Sequence, residues 1–155
     1  MEPQTIFVYI SSFTLAVIAY LIPKKLKLYD IYATSMFAAL FGLLVDAIIA
    51  LKYQFYVLDK PGIQIPALIG QVVMYSSTSI ILLNFYPFGK SVKKKLIYIL
   101  SFTLITIVFE FICYKVGFIK YNEWKMWHSV LSYPFLIYLL VLHYKFFRWL
   151  VERSM

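Results

Sequence analysis

The sequence predicts an all-α polytopic membrane protein of about five transmembrane helices, with the N-terminus outside and the C-terminus in the cytoplasm. Three observations predict it. Of 155 residues, 63% are hydrophobic and only 14% are charged, with a mean hydropathy of +0.80. A soluble domain of this length needs far more polar surface to cover its core. The apolar residues come in runs of roughly 17–24, enough to cross about 30 Å of hydrocarbon, and these runs lack the polar face of a soluble helix. The lysines and arginines gather between the runs.

Five spans follow, in a single helical domain covering residues 1–155. The first covers about 6–22 and stops at Pro23-Lys24-Lys25. It has no basic region before it and no small-residue cleavage site after it, so it reads as a retained span rather than a signal peptide. The second covers about 29–51 and is followed by Leu58-Asp59-Lys60-Pro61-Gly62, where Pro then Gly favours a type II turn. The third, about 66–87, opens on Pro66, a residue suited to a helix's first turn. A basic loop, Lys90 to Lys95, precedes the fourth span, about 96–114. An aromatic-rich loop from Lys115 to Trp127 leads to the fifth, about 128–149.

Loop cations set the orientation. Lys24, Lys25, Lys27, Lys90, Lys93, Lys94, Lys95, Lys145, Arg148 and Arg153 fall on one side; Lys52, Lys60, Lys115, Lys120 and Lys125 fall on the other. The richer set belongs in the cytoplasm. Tyr29, Tyr32, Tyr53, Tyr56, Tyr86, Tyr98, Tyr114, Tyr121, Trp124, Trp127 and Trp149 stand near the boundaries, where amphipathic rings anchor helices at the headgroup level.

The net charge of +8 has its source in these loops, which hold the chain against anionic lipid. No recognition motif accompanies it, so nucleic acid is not an expected partner. A lone cysteine, Cys113, excludes an intramolecular disulfide and a cysteine metal site, and it reads as a packing residue. Neither a metal nor a cofactor is expected.

Ionisable groups inside hydrocarbon carry the most information, because each costs roughly 2.5–3.5 kcal/mol to insert. Asp30, at the inner end of span two, reads as an interfacial partner of Lys24, Lys25 or Lys27. Asp46 lies about 9 Å inside the boundary marked by Lys52, and Glu110 lies about 8 Å inside that marked by Lys115. Spans two and four run in the same direction, so the acids reach matching depth. Gln71 reaches that depth from the opposite direction, and His128 opens span five there. Asp46 shares a helical face with Gly42, Ala39 and Ser35, small residues that permit close packing.

Glu110 shares a face with Thr106 and Thr103, and Gln71 shares one with Tyr75 and Thr78. Pro134 leaves the carbonyl of Val130 without its helical donor, one turn from His128. A polar pocket of Asp46, Gln71 and Glu110 in the outer leaflet, with His128 at its edge, is geometrically possible as a ligand or proton site. The competing expectation is that the two acids share a proton and only hold helices together. No second histidine or cysteine has metal-ligand spacing with His128. Asn84 reads as helix-packing glue, and His143, beside Lys145, as interfacial. The run Ser76-Ser77-Thr78-Ser79 lacks a nucleophile signature.

Asn84-Phe85-Tyr86-Pro87-Phe88, Lys93-Lys94-Lys95 with Ile97-Tyr98-Ile99, Phe109-Glu110, Gly117-Phe118, Trp124-Lys125, Ser129, Tyr133-Pro134 and the span-two Asp46 resemble a family of small, uncharacterised multi-spanning membrane proteins of spore-forming Firmicutes. The likeness is closest from Tyr86 onward. It implies a bacterial cytoplasmic membrane and one helical domain, and it implies no activity. At position 128 it implies an aromatic hydroxyl, where this chain carries His128.

The leading expectation is a non-enzymatic protein that binds a proton, cation or small ligand as a transport or sensor subunit. Its partners would be the bilayer, other membrane proteins or a second copy. A structural or assembly role is the alternative. A lipid-modifying enzyme is least favoured, because no nucleophile with a base appears.

Overall fold

A computed structural model describes residues 2–155. Among them are five long helices: α1 (Pro3–Leu21), α2 (Leu28–Asp46), α3 (Ile65–Phe85), α4 (Val92–Lys115) and α5 (Met126–Ser154). Each is long and apolar enough to cross a membrane, α2 together with a wider π-helical extension over Ala47–Lys52. The all-helical, five-span expectation therefore holds. Two short strands were not anticipated. Strands β1 (Tyr56–Leu58) and β2 (Ile119–Tyr121) pair antiparallel, with Tyr56 opposite Tyr121.

Contacts between connections define two ends of the bundle. At the ribbon end, Lys60 pairs with Glu2 at 2.7 Å, and Gln4 donates to Asp59 at 3.3 Å. The paired strands lie at this end too. At the lysine end, the amide of Asn84 clamps the α1–α2 connection. Its Oδ1 accepts the Lys25 N–H at 2.7 Å, and its Nδ2 donates to the Pro23 carbonyl at 3.0 Å. Asn84 is 2% exposed, so losing either bond would strand a buried polar group.

Helix α3 is the hub, packing against α1 on one side and α2 on the other, while α5 packs against α2 and α4. Its composition explains the position. Ala67, Gly70, Ser77 and Ser79 are buried on it, and small residues let backbones approach in lipid, where no hydrophobic drive pushes helices together. A Cβ at Gly70 would lie 2.6 Å from Val8 on α1. Ser12 donates to the Gly70 carbonyl at 3.1 Å, tying the same crossing. Phe7 and Phe109 stack with centroids 6.0 Å apart and bring α1 to α4.

Local signals set the helix ends. Helix α4 stops in a Schellman turn: Phe118 N–H bonds the Cys113 carbonyl and Gly117 N–H bonds that of Tyr114. Gly117 takes φ of 82°, a conformation only glycine adopts freely. Cys113 and Phe118 pack in one buried cluster, the hydrophobic contact that frequently accompanies the motif. Strand β2 follows at once.

Two sequence expectations need correction. Lys93, Lys94 and Lys95 lie in the first turn of α4 rather than in a loop. That placement opposes the helix dipole, so the interfacial demand for cations outweighs it. Asp30 does not pair with Lys24, Lys25 or Lys27 side chains. It is 1% exposed and meets Arg148 of α5 at 3.6 Å, while the Lys27 backbone N–H donates to it at 3.1 Å. Arg148 also donates to the Tyr29 hydroxyl at 2.6 Å. His143 also stacks its ring on Phe37, centroids 3.8 Å apart, between α5 and α2.

Candidate functional site

The polar groups of the ribbon end form two nests of hydrogen bonds, one around Asp46 and one around Glu110. Asp46 is the last α-helical residue of α2, and the chain widens into the π segment directly after it. Such widenings recur at functional sites because they re-aim side chains. Oδ1 of Asp46 accepts the Tyr56 hydroxyl at 2.5 Å; Oδ2 accepts Gln71 Nε2 at 2.8 Å and the Tyr75 hydroxyl. Tyr75 reaches Asp46 across Gly42, where a Cβ would sit 2.6 Å from its ring. The glycine one turn before the acid is the space the tyrosine occupies.

Glu110, on α4, is 5% exposed. Its Oε1 accepts the Tyr121 hydroxyl and, at 2.7 Å, the Ser129 hydroxyl; its Oε2 accepts the Tyr133 hydroxyl. Ser129 in turn accepts Trp124 Nε1 at 2.9 Å. Each acid thus takes three donors. Hydrogen bonds to a charged group contribute about 1.5–3 kcal/mol each, enough to offset the roughly 2.5–3.5 kcal/mol of placing an acid in hydrocarbon.

The two-stranded ribbon joins the nests. Residues directly opposite in an antiparallel pair project to one face, and the opposed Tyr56 and Tyr121 send one hydroxyl to Asp46 and the other to Glu110. Burial first, then the Asp46 charge and hydrogen bond, then the Glu110 charge, push the Tyr56 phenol well above its ordinary range. Burial and the Glu110 hydrogen bond do the same to Tyr121. Both phenols therefore remain donors at neutral pH.

Among the described residues neither acid hydrogen-bonds the other, so the contact that a shared proton requires is not made. Asp46 and Gln71 come together as the sequence suggested, and Glu110 lies nearby in its own nest. His128 is apart from both. Its Nδ1 accepts the Lys125 N–H at 2.9 Å, reaching back to close the start of α5. Its ring stacks on Trp127, centroids 3.8 Å apart. The neighbouring Ser129 takes the place expected of His128. Among the described residues, no three His, Cys, Asp or Glu side chains come together as a metal ion would need.

The sequence reading placed Tyr75 on the Gln71 face but missed the donor roles of Tyr56, Tyr121 and Tyr133, and assigned Tyr56 and Tyr121 to an interface belt. A signal was present: Gln71 with Tyr75, and Ser129 with Tyr133, stand four residues apart and so share helical faces. The ribbon register that adds Tyr56 and Tyr121 had none.

The acids differ in access. Asp46, Gln71 and Tyr56 line a cavity of about 640 Å³ that opens between the α2–α3 connection and α3. Its walls include Leu43, Ala47, Ala50, Val57, Ala67 and Leu68, and Gln54, Gln64, Lys60 and Asn122 are among its polar lining. Glu110 does not line it. Comparison with protein-family models, curated proteins and solved structures finds no match to this chain.

Proposed function

We propose that this chain is a non-enzymatic multi-pass protein of the bacterial cytoplasmic membrane that binds a small ligand at Asp46. In this reading the lysine end faces the cytoplasm, following the excess of lysine and arginine there. The N-terminus and the ribbon lie outside. The observation that carries the ligand reading is the cavity of about 640 Å³ with Asp46, Gln71 and Tyr56 in its wall. That volume falls in the range of roughly 300–1,000 Å³ typical of small-molecule sites, and mostly apolar walls with a few convergent polar groups fit the same pattern. Binding suits the chemistry better than catalysis. Asp46 accepts hydrogen bonds from an amide and two hydroxyls, and Glu110 from three hydroxyls, donors that orient a carboxylate without activating a nucleophile.

Glu110 favours a structural role for its half of the arrangement. Buried at 5% exposure and holding three donors, it anchors Tyr121 and so the ribbon. An assembly role for the whole protein is the alternative. The deciding experiment is thermal unfolding of purified protein against a mixed set of inorganic cations, amines, amino acids and short alcohols. Saturable stabilisation by any of them, reduced in Asp46→Asn, is the expected result. No Asp46-dependent shift from any compound would retire the ligand reading and leave assembly.

A further inference from the structure

Asp46 has one feature that Glu110 lacks: a place in the wall of a cavity. An ionised carboxylate offers roughly four lone-pair sites, and Asp46 uses three of them for Tyr56, Gln71 and Tyr75. Asp46 lines the cavity with that acceptor capacity left over. Two of its partners in the lining also keep acceptors. Gln71 spends its Nε2 on Asp46 and keeps Oε1; Tyr56 spends its proton on Asp46 and keeps oxygen lone pairs. Three residues with acceptor capacity left over, Asp46, Gln71 and Tyr56, therefore line the same cavity.

The charge around the cavity has one sign to satisfy. Asp46 is the acid that lines it, and the lining cation Lys60 is paired with Glu2 at 2.7 Å. A proton or bare inorganic ion needs no space of this size, since one water occupies about 30 Å³. Hard divalent cations take several oxygen ligands, often more than one carboxylate, and this cavity offers a single carboxylate. The walls around the carboxylate are aliphatic, from Leu43 and Ala47 across to Ala67 and Leu68.

We propose that the Asp46 cavity takes a monovalent organic cation: a primary ammonium group carried on a short apolar chain or ring. The three N–H donors of the ammonium meet the Asp46 carboxylate, the Gln71 carbonyl and the Tyr56 hydroxyl oxygen, and the apolar body lies against the aliphatic walls. The assignment rests on the reading of this cavity as a ligand site and adds the ligand's class.

The test is calorimetric titration and thermal unfolding of the full chain in nanodiscs with butylammonium and benzylammonium. The neutral isosteres butanol and benzyl alcohol, and sodium and magnesium ions, serve as comparators. The expected result is saturable binding of the ammonium ions, weakened on the order of tenfold or more by Asp46→Asn through loss of a charge-assisted bond. The alcohols should bind far more weakly. Ala47→Leu, which fills the cavity and keeps the carboxylate, should also weaken the ammonium ions and serves if the Asn variant does not fold. Equal binding of alcohols and ammonium ions, insensitive to Asp46, would overturn the cationic class while leaving a ligand cavity. Asp46-dependent response to sodium or magnesium alone would overturn the organic class and leave the acid site. Binding of none of them would overturn this inference, with the wider ligand reading then resting on the mixed set described above.

Discussion

Gly42 shows how one residue can decide the geometry of a site. Its missing side chain is the space that the Tyr75 ring fills on its way to Asp46. Gly42→Leu should therefore push Tyr75 off Asp46 and destabilise the protein by about 1–3 kcal/mol, the usual effect of overpacking. Leu44→Ala removes a side chain that is 55% exposed on the bundle surface and should have a much smaller effect. Thermal unfolding of both variants in detergent checks this, and equal, mild effects would place the Gly42 face against lipid instead. Asn84 and Asp30 act at the same scale. Each is a buried polar residue whose partners come from a different segment, the α1–α2 connection and α5 respectively.

The element that organises the site is the β1–β2 ribbon, an unusual cap for a helical bundle. It is short, yet backbone bonds from Asn122 and Trp124 to the Phe55 carbonyl extend it, and Asp59 N–H bonds the Phe118 carbonyl at its other end. Its two opposed tyrosines pin it to two different helices. Because Tyr56 and Tyr121 are raised above their ordinary pKa in the folded protein, they bind their protons more tightly folded than unfolded. Their contribution to stability is complete below about pH 10, where unfolded tyrosine titrates, and declines as pH rises beyond it. Unfolding temperature measured through the alkaline range should fall there. The Tyr56→Phe and Tyr121→Phe variants should show a shallower fall from a lower starting point. An unchanged alkaline slope in both variants would mean that these phenols are not held as donors.

At the scale of the molecule, a bundle in lipid is held by close packing at α3 and by a few polar ties at each end. At the lysine end the principal tie is Asp30 with Arg148 and Tyr29. Among the described residues Oδ1 of Asp30 has no hydrogen-bond partner, so the carboxylate depends on the cation nearby. Removing Arg148 should cost more than removing both members. A double-mutant cycle with Asp30→Asn and Arg148→Gln should give a coupling of about 0.5–3 kcal/mol, and strict additivity would mean the pair contributes nothing. The proposed orientation has its own check. Reporter fusions in the Lys24–Leu28 and Lys90–Lys95 segments should be cytoplasmic, and one at Lys60 should lie outside. A cytoplasmic Lys60 would invert the assignment.

The sequence by itself determined the spans, because hydrocarbon thickness and the cost of charge act on each run without reference to any other. Pro66 at the start of α3 and the positions of Asp46 and Glu110 near the ends of their helices belong to the same class. So does the small-residue face that contains Gly42. What tertiary structure alone decided is which donors meet which acid. Tyr56 and Tyr121 come from separate connections and reach Asp46 and Glu110 only through the strand register. Asp30 chooses Arg148, more than a hundred positions away, over nearby lysines, because α5 packs against α2. His128 turns back to its own helix start, and Ser129 takes the Glu110 contact. Depth along a helix is a one-dimensional property that spacing reveals. The direction a side chain faces after five helices have packed is a three-dimensional one, set by Gly42, Gly70 and the ribbon together.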